Sequence, residues 1–91
     1  LPLLLSVALL LASPGAQAHG DDQILIQALT EELAEAPDAD LFIRRGELFR
    51  HHQEWAKAEA DFAAAARLEP TLAIVNFFRA RAFLEAGAPD K

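Results

Sequence analysis

Apolar residues follow two different patterns along the chain. The first is a continuous run, Leu3 to Ala12, broken by Ser13-Pro14-Gly15. The second begins near Gln23 and is periodic: Ile26, Leu29 and Leu33 recur three and four residues apart, the spacing of one helix face. Pro37 and Asp38 end that segment, and Asp38 or Asp40 is placed to cap a second helix reaching about His52. A third helix is predicted from about Glu54 to Leu68, closed by Pro70. A fourth is predicted from a cap at Thr71 to about Glu85, with Gly87 as its stop. Links of two to four residues make consecutive helices antiparallel neighbours. The predicted fold class is all-α.

The continuous run is about half the roughly 20 apolar residues that a membrane-spanning helix needs. A helix breaker and then Ala16-Gln17-Ala18 follow it. That is the order of core, breaker and small-x-small cleavage site in a secretory signal peptide. Residues 1–18 are therefore expected to be a leader, cut after Ala18, with no membrane insertion afterwards. The chain does not begin with Met and no basic segment precedes the core, so it is read as a piece of a longer protein. Cleavage there implies an exported protein, and Ala-, Arg- and Leu-rich, bacterial-looking usage makes the periplasm its expected compartment.

Gly46 stands inside the second predicted helix, where Gly costs about 1 kcal/mol relative to Ala and so needs a packing reason. Phe42, Arg45, Gly46 and Phe49 share one face of that helix, and Trp55, Ala58, Phe62 and Ala65 share one face of the third. Small residues alternate with rings on both faces, so rings of one helix can seat over small residues of the other. Gly46 is expected to lie against the third helix near Ala58 and Phe62, with Leu there overpacked and Ala mild.

The spacing Phe42, Gly46, Phe49, Ala58, Phe62, Ala65, Pro70 resembles the tetratricopeptide repeat (TPR), W-x2-L-G-x2-Y followed by A-x3-F and P. Arg45 stands where the family has Leu, and Trp55 takes the place of the aromatic opening the family's second helix. A step of about 34 residues carries Gly46 to Ala80, Phe49 to Phe83 and Gln53 to Gly87. The resemblance implies an antiparallel helix-turn-helix solenoid with one full repeat plus flanking helices. Residues 19–38 would form a capping helix, 39–72 the repeat, and 73–91 the first helix of a second, incomplete repeat.

Charge and chemistry narrow the functional classes. The 14 acidic and 8 basic residues give a net charge of −6, which disfavours nucleic acid and anionic lipid as partners. With no cysteine there is no disulfide, thiolate metal site or catalytic thiol. After residue 18 there is also no Ser or Tyr, and Thr30, Thr71 and Lys57 sit in no recognisable nucleophile constellation. The paired carboxylates Asp21/Asp22 and Glu31/Glu32 read as solvated helix surface. No enzyme activity and no cofactor are expected. Adjacent His51 and His52 point about 100° apart on a helix and cannot share one metal without distortion. His19, exposed by cleavage after Ala18, would join an amine to an imidazole nitrogen, a ligand pair suited to Cu(II). A periplasmic copper-binding protein is thus the alternative function.

The TPR resemblance implies an interaction scaffold, an exported adaptor holding a protein or peptide partner in the cell envelope. Carried over by position, its groove would be Asp40, Ile43, Arg44, Glu47, Arg50 and His51. Chaperone-docking members of the family grip a C-terminal carboxylate with Lys and Asn, where this chain has Ile43 and Glu47. Phe77, Phe78 and Phe83 crowd the last helix, and an exposed apolar patch with self-association through that helix is expected.

Overall fold

The structure is a computed structural model; it describes residues 14–88, with side chains from Gly20 onward. The apolar core of the expected leader, within residues 1–13, lies outside the described residues. Four helices follow one another: α1 Pro14–Glu35, α2 Ala39–His51, α3 Trp55–Leu68 and α4 Ile74–Gly87. There is no strand among the described residues, and the fold is all-α.

Local chemistry explains most of the boundaries. Helix α1 starts nine residues before the predicted Gln23, at Pro14. Pro is tolerated in a first turn because its missing N–H has no partner there anyway. Asp38 caps α2 as predicted, its Oδ1 accepting from the Leu41 N–H at 3.2 Å. The Thr71 cap is not formed. Helix α4 begins at Ile74 with no side-chain cap. Backbone bonds lead into it instead, from Leu72 N–H to Glu69 O and from Val75 N–H to Leu72 O. Between α2 and α3, Gln53 turns the chain with φ of 61°. Its N–H donates to Arg50 O and the Glu54 N–H to Phe49 O, both at 2.9 Å. This pair of bonds is the Schellman closure of a helix end. Gly87, the residue aligned with Gln53, is instead the last residue of α4 and has no positive φ.

The contacts between helices give their directions. Arg45 meets Asp61, Gly46 faces Phe62, and Lys57 lies over Phe49. From Arg45 with Asp61 to Phe49 with Lys57 the numbers rise on α2 and fall on α3, so the pair is antiparallel. Thr30 with Arg45 and Asp22 with His52 make α1 and α2 antiparallel. Phe62 with Phe78 and Glu59 with Arg79 do the same for α3 and α4. The remaining pair behaves differently. Glu47 meets Arg81 and Arg50 meets Glu85, at separations of 34 and 35 residues. Numbers rise together, so α2 and α4 run parallel.

The core is built from Ala39, Ala58, Phe62, Ala65, Val75 and Ala82, with Phe42, Ile43, Phe49 and Phe78 packed partly buried against it. Leu29 and Leu33 of α1 are buried, as their spacing predicts. Gly46 lies close against α3. A Cβ built there would lie 2.7 Å from Phe62 Cε1, 3.0 Å from its Cδ1 and 3.2 Å from Asp61 Cβ. The same ring is stacked on Phe78 at 5.8 Å. Gly46 therefore sits against α3 beside Phe62, and a methyl added there requires the Phe62 ring to shift.

Arg45, at the family's Leu position, is a polar bridge rather than a packing residue. Its guanidinium donates to both oxygens of Asp61, Nε at 2.8 Å and Nη2 at 2.7 Å, and through Nη1 to Thr30 Oγ at 3.0 Å. It lies between the rings of Phe42 and Phe49, 5.9 and 5.7 Å from their centres. Asp61 is 3% exposed. One side chain of α2 thus ties α1 and α3 together, and the buried carboxylate has its bidentate partner.

Candidate functional site

A stripe of α2 facing α1 runs Ile43, Arg44, Glu47, Leu48, His51, the positions of one helix face, with Ile43 also packed partly against the core. Leu25 and Leu29 of α1 stand opposite, and together these residues enclose an open groove of about 360 Å³. Its floor is aliphatic. Leu29 is buried, Ile43 and Leu48 are half-buried, and Leu25 is 48% exposed. Leu25, Leu29 and Leu33 recur four residues apart on one face of α1, and that face runs from the interface to the groove. Leu29 and Leu33 turn into the interface, while Leu25 beside Ile26 remains at the lip.

Charges stand along the rim. Arg44 pairs with Asp40 at 2.8 Å, but both side chains are about two-thirds exposed. Such a solvated i,i+4 pair is worth only about 0.3–0.5 kcal/mol, so the guanidinium is readily drawn to a ligand. His51 is exposed at the last turn of α2, where the helix dipole favours a positive charge. Glu47 lines the groove but is already committed. It accepts from Arg50 Nε at 3.0 Å and also from Arg81 of α4. Burial pushes its carboxyl up, yet the hydrogen bonds and positive charges of Arg50 and Arg81 outweigh burial and hold it below the usual carboxylate range. Arg50 in turn donates to Glu85 at 2.7 Å.

Four of the six expected groove residues, Ile43, Arg44, Glu47 and His51, come together here. The other two do not. Asp40 stays at the first turn of α2 paired to Arg44, and Arg50 is turned toward α4, a bridge between helices rather than a ligand contact. The mixed-charge surface of Arg44, Glu47 and Arg50 around Ile43 is accordingly replaced by an aliphatic trough with Arg44 and His51 at its edge. Leu25, Leu29 and Leu48 were missed as lining. For α1 the signal was present, since Leu25 and Leu29 stand four residues apart on one helix face.

The residues expected to pack the repeat divide in two. Ala58, Phe62 and Ala65 are fully buried, Gly46 is buried, and Phe42, Phe49 and Trp55 are half-buried. Pro70 is exposed in the α3–α4 link. Ala80 and Phe83 are exposed, contrary to a packing role. Their face of α4 points away from α2, and no described helix covers it. The exposed apolar patch expected on α4 is present, with Phe77 57%, Phe83 80% and Leu84 69% exposed, whereas Phe78 is stacked on the core.

The side chain of His19 lies outside the described residues. His52 is bonded to Asp22 at 2.8 Å, so the two adjacent histidines have separate surroundings. Among the described residues no group of three or more His, Cys, Asp or Glu could hold a metal ion, and no helix is long and apolar enough to cross a membrane. No family model, curated protein or solved structure matches the chain.

Proposed function

We propose that the chain is a non-catalytic TPR-like scaffold of the cell envelope, exported by its leader, that holds a segment of a partner protein in the α1–α2 groove. The observation that carries this reading is the register of the helices. Consecutive helices are antiparallel, while α2 and α4 are parallel and cross-linked by ion pairs at 34 and 35 residues. That is the relation between equivalent helices of stacked repeats. In such an array the equivalent helices line one surface; the groove of Leu25, Ile43, Leu48 and Arg44 lies between α2 and α1.

The groove chemistry defines the ligand. Aliphatic walls accept one or two apolar anchors, and Arg44 at the rim can hold a carboxylate in bidentate fashion. The partner segment therefore has an apolar residue close to an acidic one. Selection from a displayed random-peptide library tests this. Peptides enriched on the wild type should share that pairing and should be lost with Leu25→Asp/Arg44→Glu, two exposed positions whose change leaves the helical signal intact. Retention of the same peptides by the double variant would place binding elsewhere. Export is tested independently by intact mass, which should show the secreted product beginning at His19.

A further inference from the structure

The face of α4 left open is a near-copy of a face that α2 uses. Arg45, Gly46 and Phe49 recur one repeat length later as Arg79, Ala80 and Phe83. On α2 these three residues receive a helix: Arg45 takes the Asp61 carboxylate, Gly46 receives Phe62, and Phe49 lies under Lys57. On α4 the copies border an open cleft of about 530 Å³, whose far wall is Trp55, Ala56 and Glu59 of α3. Arg79 is half-buried at its edge, bound to Glu59, and Phe83 is 80% exposed. The molecule thus shows, on α2, what fits the surface that α4 presents.

We infer that the α3–α4 cleft is a docking site for an amphipathic helix carrying a carboxylate directly followed by an aliphatic side chain. The carboxylate meets Arg79, as Asp61 meets Arg45. Charge complementarity assigns the acid, because the Arg79 guanidinium can bridge Glu59 and a second carboxylate through its several N–H donors. The aliphatic residue follows from the one difference between the copies. A Cβ at Gly46 would stand 2.7 Å from the Phe62 ring. Ala80 has that Cβ, so a helix approaching α4 as α3 approaches α2 must bring a residue narrower than Phe. Small residues one turn to either side, as Ala58 and Ala65 flank Phe62, let the backbones close. This inference rests on the internal repetition and not on the α1–α2 groove, and it fails or stands without it.

The test uses the intact chain as receptor and a side-chain-stapled helical peptide of residues 56–69 as probe. The probe omits Trp55, so the chain's single tryptophan, in the cleft wall, reports occupancy by fluorescence. The Phe62→Leu peptide should bind and shift the Trp55 emission, more tightly than the peptide with Phe62. Receptor Arg79→Glu should weaken binding by about tenfold or more, since like charges then meet. An Asp61→Arg change in the Leu peptide should restore it. Binding that is indifferent to Arg79→Glu, a preference for Phe over Leu, or a failed charge swap would overturn the inference. So would the absence of peptide binding together with a dimer, seen by sedimentation and dispersed by Phe83→Glu, which would give the cleft to a second copy.

Discussion

Adding a single methyl at Gly46 tests the packing of the whole α2–α3 pair. Two effects oppose each other. Replacing Gly by Ala inside a helix gains about 1 kcal/mol of propensity. Against it stands a Cβ placed 2.7 Å from Phe62 Cε1 and 3.2 Å from Asp61 Cβ, where carbon atoms are content at about 3.5–4.0 Å. The ring has nowhere to go: Phe62 is fully buried and stacked on Phe78 at 5.8 Å. Its neighbour Asp61 is fixed by two bonds to Arg45. Overpacking of this kind costs about 1–3 kcal/mol. Overpacking therefore wins, and Gly46→Ala should lose about 1 kcal/mol net, lowering Tm by about 4–8 °C in a domain of this size. Thermal melts followed by far-ultraviolet circular dichroism measure it. Phe62→Leu in the same background should recover part of the loss, with a coupling of about 0.5–3 kcal/mol. A Gly46→Ala melt at or above wild type, or strict additivity with Phe62→Leu, would mean that the two backbones are not in close approach.

Three further substitutions probe other parts of the argument. Arg45→Met strands the Asp61 carboxylate, 5% exposed at its side chain, and should cost about 3 kcal/mol in denaturant melts. Asp61→Ala should cost less, because Arg45 keeps its contacts with Phe42 and Phe49 and reaches water; equal losses would count against a buried bridge. Gln53→Gly removes an L-residue from positive φ at an exposed turn and should raise stability by about 0.5–1 kcal/mol in the same melts, a destabilised variant arguing against that turn geometry. Glu47 has a folded-state pKa below its ordinary value, so it contributes stability that is present above the ordinary carboxylate range and lost as pH falls through and below it. Glu47→Gln should flatten the acid limb of the stability profile, and an unchanged limb would remove Glu47 from the link between α2 and α4.

What could be read from the sequence depended on the range of the interaction. Helix identity, the Asp38 cap and the buried faces of Leu29, Leu33, Ala58, Phe62 and Ala65 follow from spacing within one helix, where periodicity is a direct record of burial. The seat of Gly46 on Phe62 was legible one step further out, because a glycine inside an aromatic-rich face has few other uses. Arg45 was harder. Its partner Asp61 lies 16 residues away, but it sits on the same stripe as Ala58 and Phe62, and a carboxylate on an otherwise apolar face is itself a request for a cation. The groove was misdrawn for a related reason. Arg50 and Glu47 look like free surface charges within α2, and only α4 supplies Arg81 and Glu85 to bind them. Even that was encoded. The repeat step carries Glu47 onto Arg81, an exchange of sign at equivalent positions, and equivalent positions on parallel helices are neighbours. Charges that alternate in sign at the repeat period should therefore be read as staples between repeats before they are read as ligand contacts. Arg44, paired with solvated Asp40 beside the aliphatic trough, and Arg79, paired with Glu59 beside the open cleft, make no such α2–α4 staple, and they are the charges that the proposed partners would engage.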